Sequence, residues 1–143
     1  MYREAFEQAG HSHEPRIAVV SEVYVDPDGE RAREVAGNHY IWNAKYTGKL
    51  LTALGKKPIK SYEEYYELAQ AGGLPDEAMT FEALQAARSI IVGDPAYCVE
   101  GIKAFERLGV DLHISWVQAG GMPHEKVMES MKLFSEKVMP ALR

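Results

Sequence analysis

The chain has 143 residues, enough for one domain and short for two. Hydrophobic residues make up 46% and charged residues 26%, the balance of a globular protein with a buried core. The net charge is −5 with Lys and Arg scattered, which argues against nucleic acid or an anionic membrane as a partner.

In chain order, "YREAFEQAGH" has the pattern of the back half of a helix. Tyr2, Phe6 and Ala9 share a face, and Gly10 suits a left-handed stop. No N-cap residue precedes it, so the segment reads as the end of an element cut from something longer. "RIAVVSEVYV", residues 16–25, is β-branched and almost wholly apolar, as in a parallel strand covered on both faces. Asp26 then reads as an N-cap with Pro27 at the first helical position, opening a helix over 27–51. Ala32, Val35, Ala36, His39, Asn43, Tyr46 and Leu50 follow at helical spacing.

Ser61 and Glu64 have the spacing of a capping box, and Gly72-Gly73 would end that helix. Thr80 caps "FEALQAARS", so residues 52–88 read as a helical insertion. "IIVG" within 89–93 is a short strand, and Asp94-Pro95 caps a helix over 95–108 that Gly109 stops. A strand over 110–117 and a helix over 123–138 follow, with Pro140 preventing its continuation. Alternating strands and helices predict a single α/β domain, residues 1–143, with a parallel sheet.

The single Cys98 excludes an internal disulfide and fits a reducing cytoplasm. No apolar run approaches ~18 residues, so no membrane span is expected. "MYREAFEQAGH" lacks the basic-then-apolar pattern of a signal peptide.

The segment "SIIVGDPAYCVEGIKAFERLGVDLHISWVQAGGMPHEKVMESMKLFSEKVMPALR" carries a likeness. Its short strand, Gly-Asp-Pro, helix ending Gly-Val-Asp, further strand, and helix ending Val-x-Pro resemble the C-terminal end of luciferase-like flavin-dependent monooxygenases. "YREAFEQAGH" with "RIAVVSEVYVDPDGERAREVA" is similar to the preceding unit of that family. The resemblance implies a TIM barrel of which this chain is strands six, seven and eight, without the first five. It implies an oxidoreductase using reduced FMN and oxygen, or a deazaflavin in some branches, on a small organic substrate. It also implies that most flavin-phosphate contacts lie on the earlier strands, so that FMN binds this chain alone weakly or not at all. A truncated, non-catalytic, self-associating α/β module is the competing expectation.

Barrel active sites lie at the C-terminal strand ends. On that reading Gln118, Gly120 and Gly121 are cofactor-binding candidates: the glycines admit a flat ring and Gln118 can bond its edge. The same glycines also suit a tight strand-to-helix turn. Glu22 interrupts an apolar strand, at a cost unless paired, and His39 and Asn43 share a helical face with Tyr46 near Trp42. Glu22, His39 and Asn43 are therefore the substrate-pocket candidates, with a packing face or interface as the other reading. His113 and Ser115 occupy one face of the last strand and Leu112, Ile114 and Trp116 the other; alternation alone leaves open which is interior. His11 and His13 have no clustered partners, and "HEKVM" lacks the second histidine of a zinc helix, so no metal site is expected. No catalytic residue is assigned. Three parallel strands cannot close a barrel and leave edges and apolar side chains uncovered. The expectation is a homo-oligomer, or a chain supplying the missing barrel strands.

Overall fold

The computed structural model describes residues 2–54 and 75–142. Helix α1 (Tyr2–Gln8) is followed by strand β1 (Ala18–Val25) and the long helix α2 (Gly29–Leu54). A 3₁₀ turn at Asp76–Ala78 precedes α3 (Phe81–Ala86), β2 (Ile90–Gly93), α4 (Pro95–Glu106), β3 (Leu112–Trp116) and α5 (His124–Leu133). The helix expected from Ser61 and its Gly72-Gly73 stop lie outside the described residues.

The strands are parallel, as the alternation of elements predicts, and lie in the order β2-β1-β3. β1 is the central strand, and its residues 21–25 are all buried, as expected of a strand covered on both faces. Its C-terminal half pairs with β2, Glu22 opposite Ile90 through Val25 opposite Gly93. Along its length Ala18 to Glu22 pair with Leu112 to Trp116 of β3.

Three consecutive barrel strands would lie in chain order with their helices on one face. Here the chain steps from β1 to β2 on one side and returns past β1 to reach β3. Right-handed connections that step in opposite directions put their helices on opposite faces. Accordingly α2 and α3 cover Tyr24, Ile90 and Val92, with Ala32, Ala36, Tyr40 and Phe81 in that core. Helix α4 and the C-terminal tail cover Val23, Val25 and Ile91, with Cys98, Ile102 and Val138.

Two local boundaries differ from the sequence reading. Asp26 does not cap α2: its Oδ1 accepts from the Asp28 N–H at 2.9 Å and from Arg31 Nε at 2.8 Å, making a side-chain turn. Asp28 is the cap, accepting from the Glu30 and Arg31 amides at 2.8 and 3.2 Å. At the other end, α5 does not run to 138. It opens into a π turn at Phe134–Val138, in which Val138 is fully buried, and then a 3₁₀ turn at Met139–Leu142. Pro140 sits in the first turn of that last segment, where its missing N–H leaves no bond unmade. Thr80 and Asp94 do cap α3 and α4, accepting from the Ala83 and Tyr97 amides.

The N-terminal end of the sheet is tied by Asp111, whose Oδ2 accepts from the Ile17 amide at 2.8 Å and from Arg3 of α1 at 3.1 Å. The C-terminal end is tied from above. The Tyr40 hydroxyl of α2 lies 3.0 Å from the Val23 carbonyl oxygen and 2.9 Å from that of Val117, donating to the pair. Ser130 of α5 accepts the Val25 amide at 2.8 Å.

Tyr40 has no exposed surface, so removing its hydroxyl strands buried carbonyls. Tyr40→Phe is expected to destabilise the fold by about 1–3 kcal/mol, read as a lower urea midpoint at unchanged slope.

Candidate functional site

Glu22 sits where β1 is hydrogen-bonded on both sides, opposite Trp116 of β3 and Ile90 of β2. Side chains alternate along a strand, so Glu22 projects to the same face as Val20 and Tyr24, under α2. Tyr40 anchors α2 to the strand ends, and Asn43 lies almost one turn further along. That placement brings the Asn43 amide onto the carboxylate: Nδ2 donates to Glu22 Oε1. Glu22 is only 9% exposed. Burial pushes its pKa up to about 7, against the smaller lowering effect of the Asn43 bond. Near neutrality the carboxyl therefore exists in both protonation states.

Trp42 and Tyr46, one turn apart on α2, stack with ring centres 5.1 Å apart and planes within 7°. The strand-to-helix turn after β3 packs against this pair. Gly120 adopts φ +56°, and a Cβ there would come within 3.2 Å of the Trp42 ring and 3.7 Å of His39 Nδ1. The close approach expected of this glycine is thus made to the chain's own indole. Gly121 has open space around it and Gln118 is exposed.

Glu22 is thus bonded to Asn43 and lies opposite Trp116, while Gly120 lies against Trp42 and near His39. Tyr40 escaped the sequence reading, although it continues the Ala32–Ala36 spacing by four more residues; its ring reads as packing and its hydroxyl leaves no pattern in sequence.

The remaining candidates fall elsewhere. His113 lies on the opposite face from Glu22, with Nε2 2.8 Å from Ser21 Oγ and Nδ1 3.2 Å from Ser115 Oγ. Its ring tilts against Phe105 at 5.5 Å, and burial lowers its pKa, so it is a packed, hydrogen-bonded imidazole. Leu112, Ile114 and Trp116 occupy the face that α4 leaves alone, and all three are exposed. Cys98 is fully buried with its thiol against backbone carbonyls, and burial pushes its pKa to about 12, which removes it as a nucleophile. His11 and His13 pack around Phe6. Among the described residues no group of His, Cys, Asp or Glu could hold a metal ion, and no helix is long and apolar enough to cross a membrane.

The arrangement has one proton-carrying carboxyl, one amide that orients it, and flat aromatic walls. Among the described residues no Arg or Lys side chain bonds to Glu22, Asn43, His39 or the 118–121 turn. The stacked Trp42 and Tyr46 rings present flat apolar surface beside the Glu22–Asn43 pair.

A family model described as luciferase-like monooxygenase matches residues 1–112. A solved monooxygenase, RslO1 from Streptomyces bottropensis, aligns over 99% of this chain at 24% identity with a TM-score of 0.63. The oxygenating constituent of 3,6-diketocamphane monooxygenase from Pseudomonas putida, a type II Baeyer–Villiger enzyme solved with FMN, aligns over 98% at 20% identity and the same score. The chain spans 36% and 38% of the length of those two structures. No curated protein matches it.

The raised Glu22 pKa sets a pH signature. The folded state holds the proton up to about pH 7, whereas the unfolded carboxyl loses it near 4.5. Its contribution to stability is therefore complete below about pH 4.5 and is lost as pH rises through about 7. Glu22→Gln is expected to erase this fall, leaving the variant more stable than the parent at pH 8 by roughly 2 kcal/mol and little different at pH 5. Urea midpoints at the two pH values test it; a parallel fall in both proteins counts against a buried, titrating Glu22.

Proposed function

This chain belongs to the luciferase-like monooxygenase family, and on that premise we propose that it builds one wall of the cleft of a flavin-dependent monooxygenase. The reaction class is oxidation of a small organic substrate with reduced FMN and oxygen. The observation that carries this reading is the Glu22–Asn43 pair, with Glu22 opposite Trp116 at the C-terminal end of β3 and Asn43 next to the Trp42–Tyr46 stack on α2. That is the end of a β/α fold where chemistry is placed.

Each residue has a role in the proposal. Trp42 and Tyr46 offer an apolar wall against which a flat molecule stacks and from which water is excluded. Asn43 fixes Oε1 of Glu22, leaving the other carboxyl oxygen to take or return a proton. Gly120 keeps the turn close enough to hold Trp42 in place.

The fit to FMN is partial. The aromatic wall suits its ring, but the cleft lacks the Arg or Lys that would answer its phosphate, so these residues do not constitute an FMN site. The complex of the Pseudomonas putida relative with FMN supports the identity of the group. In the proposal its phosphate is held by protein outside this chain.

Lumiflavin, which has the ring and no phosphate, is the discriminating probe. It is expected to quench the fluorescence of Trp42 and Trp116 as effectively as FMN does, each with Kd weaker than about 10 µM. Trp42→Leu is expected to weaken both equally. Submicromolar binding of FMN alone would place a phosphate site within this chain and overturn the assignment, as would an absence of ring binding.

A further inference from the structure

Strand β2 is the outer strand on its side of the sheet, with α2 and α3 covering one face and α4 the other. Residues from all four elements line a cavity of about 520 Å³. Pockets that take small molecules run from about 300 to about 1,000 Å³. None of Glu22, Asn43, Trp42 or Tyr46 lines it, so it is separate from the site described above. Its apolar wall is made by Phe81, Ile90, Ile91 and the ring of Tyr97.

The charges of this cavity run against those of the chain. The whole carries −5, whereas the lining holds three arginines and two glutamates. Arg33 pairs with Glu82, and Arg107 with Glu100 at 3.5 Å. The third, Arg88, has no carboxylate partner among the described residues. Its backbone is also unusual. The Arg88 N–H donates to the Gln85 carbonyl and the Ser89 N–H to that of Leu84, the left-handed stop that closes α3. Glycine is the usual occupant of such a stop. The other left-handed positions among the described residues are Gly10, Gly109 and Gly120; Arg88 stands at φ +54°. An arginine is strained there and a glycine is not. Folding alone therefore favours glycine at 88, and the cavity gives the guanidinium a use.

A second group in the lining is unmatched. Gln85 Oε1 is buried with no hydrogen-bond partner, the one such side-chain atom among the described residues. A buried acceptor without a donor is uncommon in a folded protein. The cavity thus offers an unpaired cation, an unmet acceptor and an apolar wall. Each calls for a different part of a guest.

We propose that this cavity binds a small, mainly apolar carboxylic acid that carries an N–H or O–H donor. The carboxylate sits on the Arg88 fork, the donor serves Gln85, and the apolar body lies against Phe81, Ile90 and Ile91. One unpaired cation matches one negative charge, and Glu82 and Glu100 oppose the second charge of a phosphate. Neither the flavin reading nor the fate of the Glu22 proton enters into this.

N-acetylphenylalanine has all three parts and is the probe. Titration calorimetry is expected to give it a Kd below about 1 mM. Its uncharged amide, phenyl phosphate, and 3-phenylpropionate, which lacks the N–H, are each expected to bind about tenfold more weakly. Arg88→Gly removes the guanidinium and relieves the left-handed backbone. It is expected to bring the acid down to the level of its amide while leaving the urea midpoint unchanged or higher. Arg88→Asn, which also tolerates the left-handed region, is the second variant should the first fail to fold. Gln85→Met keeps the length of the side chain and is expected to remove the preference for N-acetylphenylalanine over 3-phenylpropionate. Equal binding of the acid and either its amide or 3-phenylpropionate overturns the proposal. So do parental affinity in the Arg88 variants, tighter binding of phenyl phosphate, and an absence of binding up to about 10 mM.

Discussion

The Tyr40 hydroxyl, lodged between the carbonyl oxygens of Val23 and Val117, is the constraint on which the working end of this fold depends. It joins three elements at one point: α2, the end of β1, and the segment leaving β3. With Tyr40 fixed, the helix carries Asn43 to the Glu22 carboxyl and Trp42 to the backbone of Gly120. A hydroxyl serving two buried carbonyls holds position in a way that apolar packing, which tolerates small slides, does not.

The two faces of the sheet have been put to different uses. On the α4 face, side chains of β1, β2 and the helical tail close into a dry core, and the polar groups that enter it, Ser21 with His113 and the Cys98 thiol, find partners at once. On the α2 face the core is complete only above β1 and β2. Above β3 it gives way to exposed apolar side chains, with a titrating carboxyl at the boundary between the two regions. In the proposed function, that boundary is where a buried charge costs something and where a small molecule would meet it. A proton-handling group is useful only under both conditions.

Much of this was legible in the sequence for physical reasons. β1 and β2 announced themselves by β-branched-rich, mostly apolar runs, and Thr80, Asp94 and Gly109 marked their helix ends because caps and left-handed stops are local chemistry. Glu22 drew attention as the one carboxylate in an apolar strand, and Asn43 and His39 by their helical spacing. What was not legible is non-local. Strand order depends on which side of β1 the chain returns to, and no residue pattern encodes that. The shift of the α2 cap from Asp26 to Asp28 turned on which aspartate met Arg31. The face of β3 that packs inward was undecidable from alternation, since His-Ser and Leu-Ile-Trp are both plausible inside. The approach of Gly120 to the Trp42 ring is likewise a contact between distant segments that no local pattern encodes.

The strand order has a kinetic side. Among the described residues β1 is central yet precedes both strands that flank it: β2 follows α2 and α3, and β3 comes later still. β1 cannot pair with β2 or β3 until each has followed it. Closing loops of such length is entropically costly before any pairing rewards it, and parallel pairings of this kind form slowly. In that interval the helix that follows β1 is the element positioned to shield it. The Ala32–Ala36–Tyr40 stripe, buried in the finished fold, would then act first as a cover for the waiting strand, with sheet formation following helix docking rather than preceding it.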